Sequence, residues 1–163
     1  MREAPSTLDA MYQRHAPSVF RRARALLGTD ADAHEVVQDV FMTLLENPDQ
    51  YERRSAMTTF LYSVTTHACL NRIRNQKARV RLLNEHALAG TSTPSTPSPE
   101  QISVLHDVLK RMPDELARAA IYYWVDELTQ DDIARILGCS RRHVGHLLER
   151  VTGWARAQEA TPC

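Results

Sequence analysis

"LGCSRRHVGHLLERV", residues 137–151, ends an apolar run at a glycine and restarts it behind a serine and two arginines. Gly138 is the residue type that most readily ends a helix, and Ser140 can cap the helix that follows. Beyond the serine, the residues expected to face inward recur at 3.6 spacing: Val144, Leu147, Leu148 and Val151. The stretch therefore predicts two helices joined by a three-residue turn, the helix-turn-helix motif.

The helix before the turn has its own start signal, because Thr129 can cap it with Asp132 three residues later. Its apolar edge is Ile133, Ile136 and Leu137. The start of the second helix leaves basic and polar residues for a ligand, and the candidate contacts are Ser140, Arg141, Arg142, His143, Gly145 and His146. Arginines at this place can reach guanine edges in the major groove, so the motif favours DNA binding.

Two other interpretations of the motif stay open. A plain helical hairpin with a solvated basic face would show the same pattern. A zinc site could use Cys139, His143 and His146, but the neighbourhood offers no fourth ligand. We expect no metal and no cofactor.

Composition indicates a cytoplasmic protein. No apolar run approaches the roughly 20 residues of a membrane helix, and the first residues lack the pattern of a secretory signal. The three cysteines, Cys69, Cys139 and Cys163, are far apart and form no CxxC pair, which suits free thiols in a reducing compartment. We therefore expect no membrane insertion.

The charges are segregated although the formal net charge is zero. Residues 28–50 contain six acids and no Lys or Arg, whereas residues 51–83 carry seven basic residues against one acid. The alternation repeats, since residues 100–132 are acidic and residues 133–156 hold five arginines against Glu149. This pattern predicts two modules, each with a basic face for a polyanion, while the acidic blocks are available to a protein partner.

The predicted fold is all-α: two small helical domains, 5–83 and 101–157, joined by a flexible linker, 84–100. The linker contains "GTSTPSTPSPE", which is low in complexity and cannot form a core. In the first domain, a helix is expected to bend or restart at Pro17 and to end at Gly28. The apolar side of the next helix is predicted as Val36, Val37, Val40, Phe41, Leu44 and Leu45.

The last helix of the first domain shows two stripes. One is a plausible core stripe, made of Phe60, Leu61, Val64 and Ala68. The other combines aromatic, hydroxyl and apolar residues, namely Tyr62, Thr66, Cys69 and Ile73, and runs into arginines. Such a face suits stacking on bases while the arginines hold the phosphate backbone.

Several stretches occur in an order that carries a family resemblance. They are "MYQRHAPSVF", "LLGTDADAHEVVQDVF" and "YERRSAMTTFLYSVT", followed by "MPDELAR", "DIARILGCS" and "HVGHLL". Over nearly its whole length the chain resembles bacterial RNA polymerase sigma factors of the extracytoplasmic-function (ECF) group, in the sigma-70 family. The resemblance implies that 5–83 is region 2, which binds core polymerase and recognises and melts the minus-ten element. It also implies that 101–157 is region 4, the reader of the minus-thirty-five element.

The resemblance also implies site residues. The expected core-polymerase contacts are Asp32, Glu35, Gln38 and Asp39. The expected minus-ten contacts are Arg53, Arg54, Phe60, Tyr62, Ser63, His67, Asn71 and Arg74. Arg53 and Phe60 replace the usual Gly and Trp of the family pattern, and Phe60 and Tyr62 are equally compatible with positions in the core.

The sequence thus favours a promoter-specificity subunit whose partners are core RNA polymerase, promoter DNA and, by resemblance, an anti-sigma factor. The alternative is an autonomous helix-turn-helix regulator that binds duplex DNA and uses its first domain to dimerise or sense. An enzyme is not expected, because the sequence has no Gly-rich phosphate loop, no nucleophile elbow and no HExxH motif.

Overall fold

The computed structural model describes residues 7–47, 57–75 and 98–160, and in these ranges it contains helices and connections but no strand. The helices are α1 (Thr7–Leu27), α2 (Asp30–Glu46), α3 (Met57–Asn75), α4 (Pro99–Arg111), α5 (Asp114–Ala120), α6 (Gln130–Leu137) and α7 (Arg141–Glu159), and a π-helical turn, Ile121–Val125, continues α5. The chain divides into two compact units, Met1–Asp107 and Val108–Cys163. The predicted all-α class is confirmed.

In the first unit, α1, α2 and α3 pack against one another. Most of the predicted apolar side of α2 is buried. Leu45 is 56% exposed, so the prediction that it faces the core was wrong. Helix α1 runs unbroken through Pro17, where a bend or restart was expected. Residues on both sides of the proline share one packed face, and this packing offsets the hydrogen bond that proline removes.

Helix α3 differs most from its sequence-based description. Thr66, Cys69 and Ile73, which were assigned to a base-stacking stripe, are at most 1% exposed and belong to the core. Val64 and Ala68, from the expected core stripe, are only half-buried. The reason is that α3 packs against both α1 and α2, so it needs a broader buried face than a single stripe provides.

Helix α4 begins at Pro99, within the predicted linker, and its residues up to Asp107 group with the first unit, whereas 101–107 were predicted to belong to the second domain. His106 is buried, and its Nε2 lies 2.8 Å from the carbonyl oxygen of Leu26 at the end of α1. Gly28 follows with φ +86°, and a Cβ there would lie 2.8 Å from Cδ1 of Ile102. Most of the predicted linker, 84–97, lies outside the described residues.

The second unit contains the helix-turn-helix as predicted. The hydroxyl of Thr129 caps α6 and that of Ser140 caps α7, while Gly138 ends α6 at φ +68°. The inward side of α7 packs against α5 and α6, and the buried residues are Val144, Leu147, Leu148 and Val151. These four confirm the periodicity seen in the sequence.

Candidate nucleic-acid and polymerase interfaces

The first turns of α7 present the basic residues that the sequence singled out. The Ser140 hydroxyl accepts a hydrogen bond from the backbone N–H of His143 at 3.1 Å, so its first role is to cap α7. Arg141 and Arg142 are exposed, and Arg141 has a loose contact of 3.8 Å with the Asp131 carboxylate. An exposed guanidinium at a helix N-terminus can reach a base edge or a phosphate.

The remaining predicted contacts of α7 differ in accessibility. His146 is exposed, and its Nδ1 lies 3.8 Å from a Glu149 carboxylate oxygen. Gly145 is half-buried, and a Cβ at this position would lie 3.8 Å from the side-chain oxygen of Gln130. Gly145 therefore lies beside the Gln130 side chain of α6.

Glu115 of α5 contacts two side chains of α7, which the sequence did not predict. One of its oxygens lies 3.4 Å from Nε2 of His143, and the other lies 3.4 Å from Nη1 of Arg150. All three side chains are about half exposed, so each pair contributes little to stability. Because His143 contacts Glu115 within the protein, Arg141 and Arg142 remain as the outward-facing basic pair.

An aromatic surface lies beside Arg141. Tyr123, Trp124 and Val125, in the π-helical turn, are 38%, 51% and 44% exposed. Tyr123 and Trp124 line an open cleft of about 530 Å³ together with Leu128 and Arg141. A π-helical turn shifts the side-chain register of a helix, which explains how an apolar stretch comes to face outward.

Of the predicted polymerase contacts on the acidic helix α2, Asp32 is buried and the others are exposed. Asp32 is only 5% exposed. Its carboxylate accepts hydrogen bonds from the Thr29 hydroxyl at 2.9 Å and from Nε of Arg72 at 3.1 Å. Arg72 also pairs with Glu35. Asp32 is therefore turned into the first unit, because burial of the Arg72 cation requires an anionic partner.

Gln38 and Asp39 are exposed on the outer face of α2. Met42 and Leu45 lie on the same face and are 53% and 56% exposed. The outward surface of α2 is thus mixed, with apolar side chains among acidic ones. Exposed apolar side chains grouped on one helix face are typical of a protein-binding surface.

The predicted minus-ten contacts are only partly described. Arg53 and Arg54 lie outside the described residues. Five of the others are spaced by three and four residues and share one face of α3: Phe60, Ser63, His67, Asn71 and Arg74. His67 and Asn71 are exposed, while the other three are half-buried. The helix therefore aligns these five side chains in a row about 20 Å long.

Tyr62 lies beside this row and is half-buried. The guanidinium carbon of Arg22, on α1, is 3.6 Å from the centroid of its ring. Arg22 was missed by sequence analysis because its partner is 40 positions away and no local pattern connects the two residues.

Among the residues that the structure describes, no group of three His, Cys, Asp or Glu side chains could hold a metal ion. No helix within those same ranges is long and apolar enough to cross a membrane.

Comparison with known proteins gives consistent matches. Residues 11–79 match the sigma-70 region 2 domain. The chain is 25% identical over 130 residues to the ECF RNA polymerase sigma factor SigM of Mycobacterium tuberculosis, covering 80% of this chain and 65% of SigM. It is 22% identical over 134 residues to SigW of Bacillus subtilis, covering 73% of this chain and 71% of SigW.

Two solved structures show the same fold. One is CnrH in complex with the cytosolic domain of CnrY, with a TM-score of 0.55, 16% identity and coverage of 94% of this chain and 89% of that chain. The other is the sigma factor RpoE of Bartonella quintana in complex with the anti-sigma factor NepR, with a TM-score of 0.50, 17% identity and coverage of 88% and 91%. The chain is thus similar to the sigma-70 region 2 domain over residues 11–79, and to sigma factors of the ECF group over most of its length.

Proposed function

We propose that this protein is an RNA polymerase sigma factor, which binds core polymerase and directs promoter-specific initiation of transcription. One observation carries the proposal: a capped helix-turn-helix with an outward Arg141–Arg142 pair occurs in the same chain as a region 2 helical bundle. The chain spans 65% of the length of SigM, the first relative compared.

The proposed division of labour follows the two parts of the chain. Residues 5–83 would bind core polymerase and recognise and melt the minus-ten element, and residues 101–157 would read the minus-thirty-five element. The row of side chains on α3 supports the first assignment, because it offers polar and aromatic groups along one helix face. Holding an unpaired strand requires stacking and backbone contacts but no covalent chemistry, so the function needs no catalytic group.

Polymerase binding is assigned to the outer face of α2, through Gln38 and Asp39. The accessible carboxylate of Asp39 and the exposed Met42 and Leu45 give this face both charge and apolar area. The buried Asp32 and the exposed Glu35 both hold Arg72, which ties α2 to α3 behind this surface.

For the minus-thirty-five element, Arg141 and Arg142 are the proposed base or phosphate contacts. A single small module with two or three such contacts binds DNA weakly at physiological salt, because few counterions are released. The DNA affinity of the isolated protein is therefore expected to be low, and specificity would emerge in the complex with polymerase.

An anti-sigma factor is the proposed regulatory partner. Both structural neighbours were solved as complexes, CnrH with the cytosolic domain of CnrY and RpoE with the anti-sigma factor NepR. The exposed apolar residues of α2 and of the π-helical turn are surfaces that such a partner could cover.

The test is in-vitro transcription with bacterial core polymerase and a promoter library, with and without the protein. New start sites preceded by two common elements at fixed spacing are expected. If the protein directs no start site and instead binds specific duplex DNA by itself, the proposal fails and an autonomous regulator is indicated.

A charge reversal tests the polymerase surface separately. Asp39→Arg should reduce co-purification with core polymerase without changing thermal unfolding, because Asp39 is exposed. Glu159→Arg, at the exposed end of α7, is the matched control and should bind polymerase normally. Equal binding by both variants would exclude the α2 face.

A further inference from the structure

Arg22 of α1 makes an unusual set of contacts with α3. Its guanidinium carbon lies 3.6 Å from the ring centroid of Tyr62, so the cation is stacked on one face of the aromatic ring. Its Nε and Nη2 donate hydrogen bonds of 3.0 and 2.7 Å to the hydroxyl oxygen of Thr66. One arginine therefore holds two residues on adjacent turns of α3.

The hydroxyl of Thr66 is fully used by this arrangement. It accepts both bonds from Arg22 and donates its own hydrogen to the backbone carbonyl of Tyr62 at 2.8 Å. A threonine hydroxyl offers one donor and two acceptor sites, so no bonding capacity remains. Thr66 is also completely buried. The planar fork of the guanidinium is consequently fixed in direction, and the stacked ring is fixed with it.

This geometry constrains how Tyr62 can meet DNA. The ring is half-buried and has Arg22 on one face, so a base could stack only on the remaining face. A ring already held in one orientation loses little freedom when a base arrives.

We propose that Arg22 is a positioning residue for minus-ten capture, which holds the Tyr62 ring in the orientation that receives an unpaired base. The inference rests on the proposed function of the chain. This positioning role differs from a purely structural clamp between α1 and α3, because a clamp would affect the stability of the protein whether or not Tyr62 is present.

A double-mutant cycle distinguishes these roles. The protein is assembled with bacterial core polymerase, and the probe is a labelled single-stranded oligonucleotide carrying the non-template minus-ten sequence recovered by the transcription selection. Arg22→Met should weaken binding of this probe roughly 3- to 30-fold, the range of a cation stacked on an aromatic ring. In a Tyr62→Leu background, the same change should produce no further loss.

Arg24→Met is the matched control for charge. It removes one positive charge from the same helix, and its Nε pairs with Asp30 at 2.7 Å rather than with α3. Probe binding should be unchanged in this variant. Arg22→Lys keeps the charge but loses the two-donor fork, so its affinity should fall between those of the wild type and Arg22→Met. If Arg22→Met does not fold, Arg22→Lys takes its place in the cycle.

The outcomes separate cleanly. An undiminished loss in the Tyr62→Leu background would overturn the inference, since Arg22 would then act independently of Tyr62. An equal loss with Arg24→Met would also overturn it, because general charge would explain the effect. If the wild-type protein directs no promoter-specific start, both the proposed function and this inference fail, whereas a working promoter with an additive cycle removes the inference alone.

Discussion

The threonine–aspartate cap that begins α2 occurs again at the start of α6, and the two copies differ in burial. In each, the threonine hydroxyl accepts from the aspartate N–H and donates at 2.9 Å to its carboxylate. The Asp132 side chain is 42% exposed and has only a 3.4 Å contact with Arg135. The Asp32 side chain is 7% exposed and binds Arg72, itself only 16% exposed. Comparing the same substitution at each aspartate, one at a time, therefore isolates the contribution of the buried ion pair to the free energy of unfolding.

The expected magnitudes follow from this difference. Asp132→Asn should lower the free energy of unfolding by about 0.5 kcal/mol, because only an exposed carboxylate near a helix N-terminus is lost. Asp32→Asn leaves a buried guanidinium short of an anion, which usually costs about 3 to 5 kcal/mol. Glu35 still pairs with Arg72, so we expect the lower end of that range.

The two units can be followed separately in the intact protein. The chain has two tryptophans, Trp124 and Trp154, and both lie in the second unit. Tryptophan fluorescence therefore reports the second unit, while far-ultraviolet circular dichroism reports all helices. Asp32→Asn should lower the midpoint of thermal unfolding of the first unit, seen by circular dichroism, by roughly 10 °C or more. The midpoint seen by tryptophan fluorescence should be unchanged. The reasoning is refuted if Asp32→Asn is no more costly than Asp132→Asn, or if it shifts the fluorescence transition.

Three further changes have defined outcomes. Gly28→Ala should destabilise the first unit more than Gly138→Ala destabilises the second, as urea unfolding can check: both glycines have positive φ, but only at Gly28 would the Cβ meet a side chain, at 2.8 Å from Ile102. Arg142→Ala should cost about 1 to 3 kcal/mol at one base position of the minus-thirty-five element if the contact is bidentate, and unaltered base preference in transcription assays would contradict this. Burial raises the pKa of the Cys69 thiol to about 12, an effect that the Arg22 charge only partly opposes, so the thiol should resist iodoacetamide at about pH 8.5 until the protein unfolds. Because the folded pKa is the higher one, stability should fall as the pH rises from about 9 towards 12, and less so in Cys69→Ala.

Short-range patterns predicted the second unit well. Its caps, the glycine turn and the inward side of α7 are determined by residues within three or four positions of one another. The exposure of Tyr123 and Trp124 was missed, because the register shift of a π-helical turn leaves no simple periodicity in the sequence.

The first unit depended more on contacts between distant residues. The burial of Asp32 follows from Arg72, 40 positions later, and the charge pattern alone could not distinguish an inward acid from an outward one. The wide buried face of α3 follows from packing against two helices at once. Residues 101–107 were assigned to the second domain because they follow the proline-rich stretch. The contact of His106 with Leu26 is a tertiary contact that no local pattern indicates.

The docking of α4 also determines how the chain can be cut for study. A fragment ending at residue 83, as the composition would suggest, lacks the imidazole that meets the Leu26 carbonyl and the Ile102 side chain that covers Gly28. The corresponding fragment from residue 101 would carry the same imidazole and Ile102 without the α1 end on which they rest. A first fragment that continues to the end of α4 at Arg111 keeps His106 and Ile102 together with the α1 end and leaves the helix undivided.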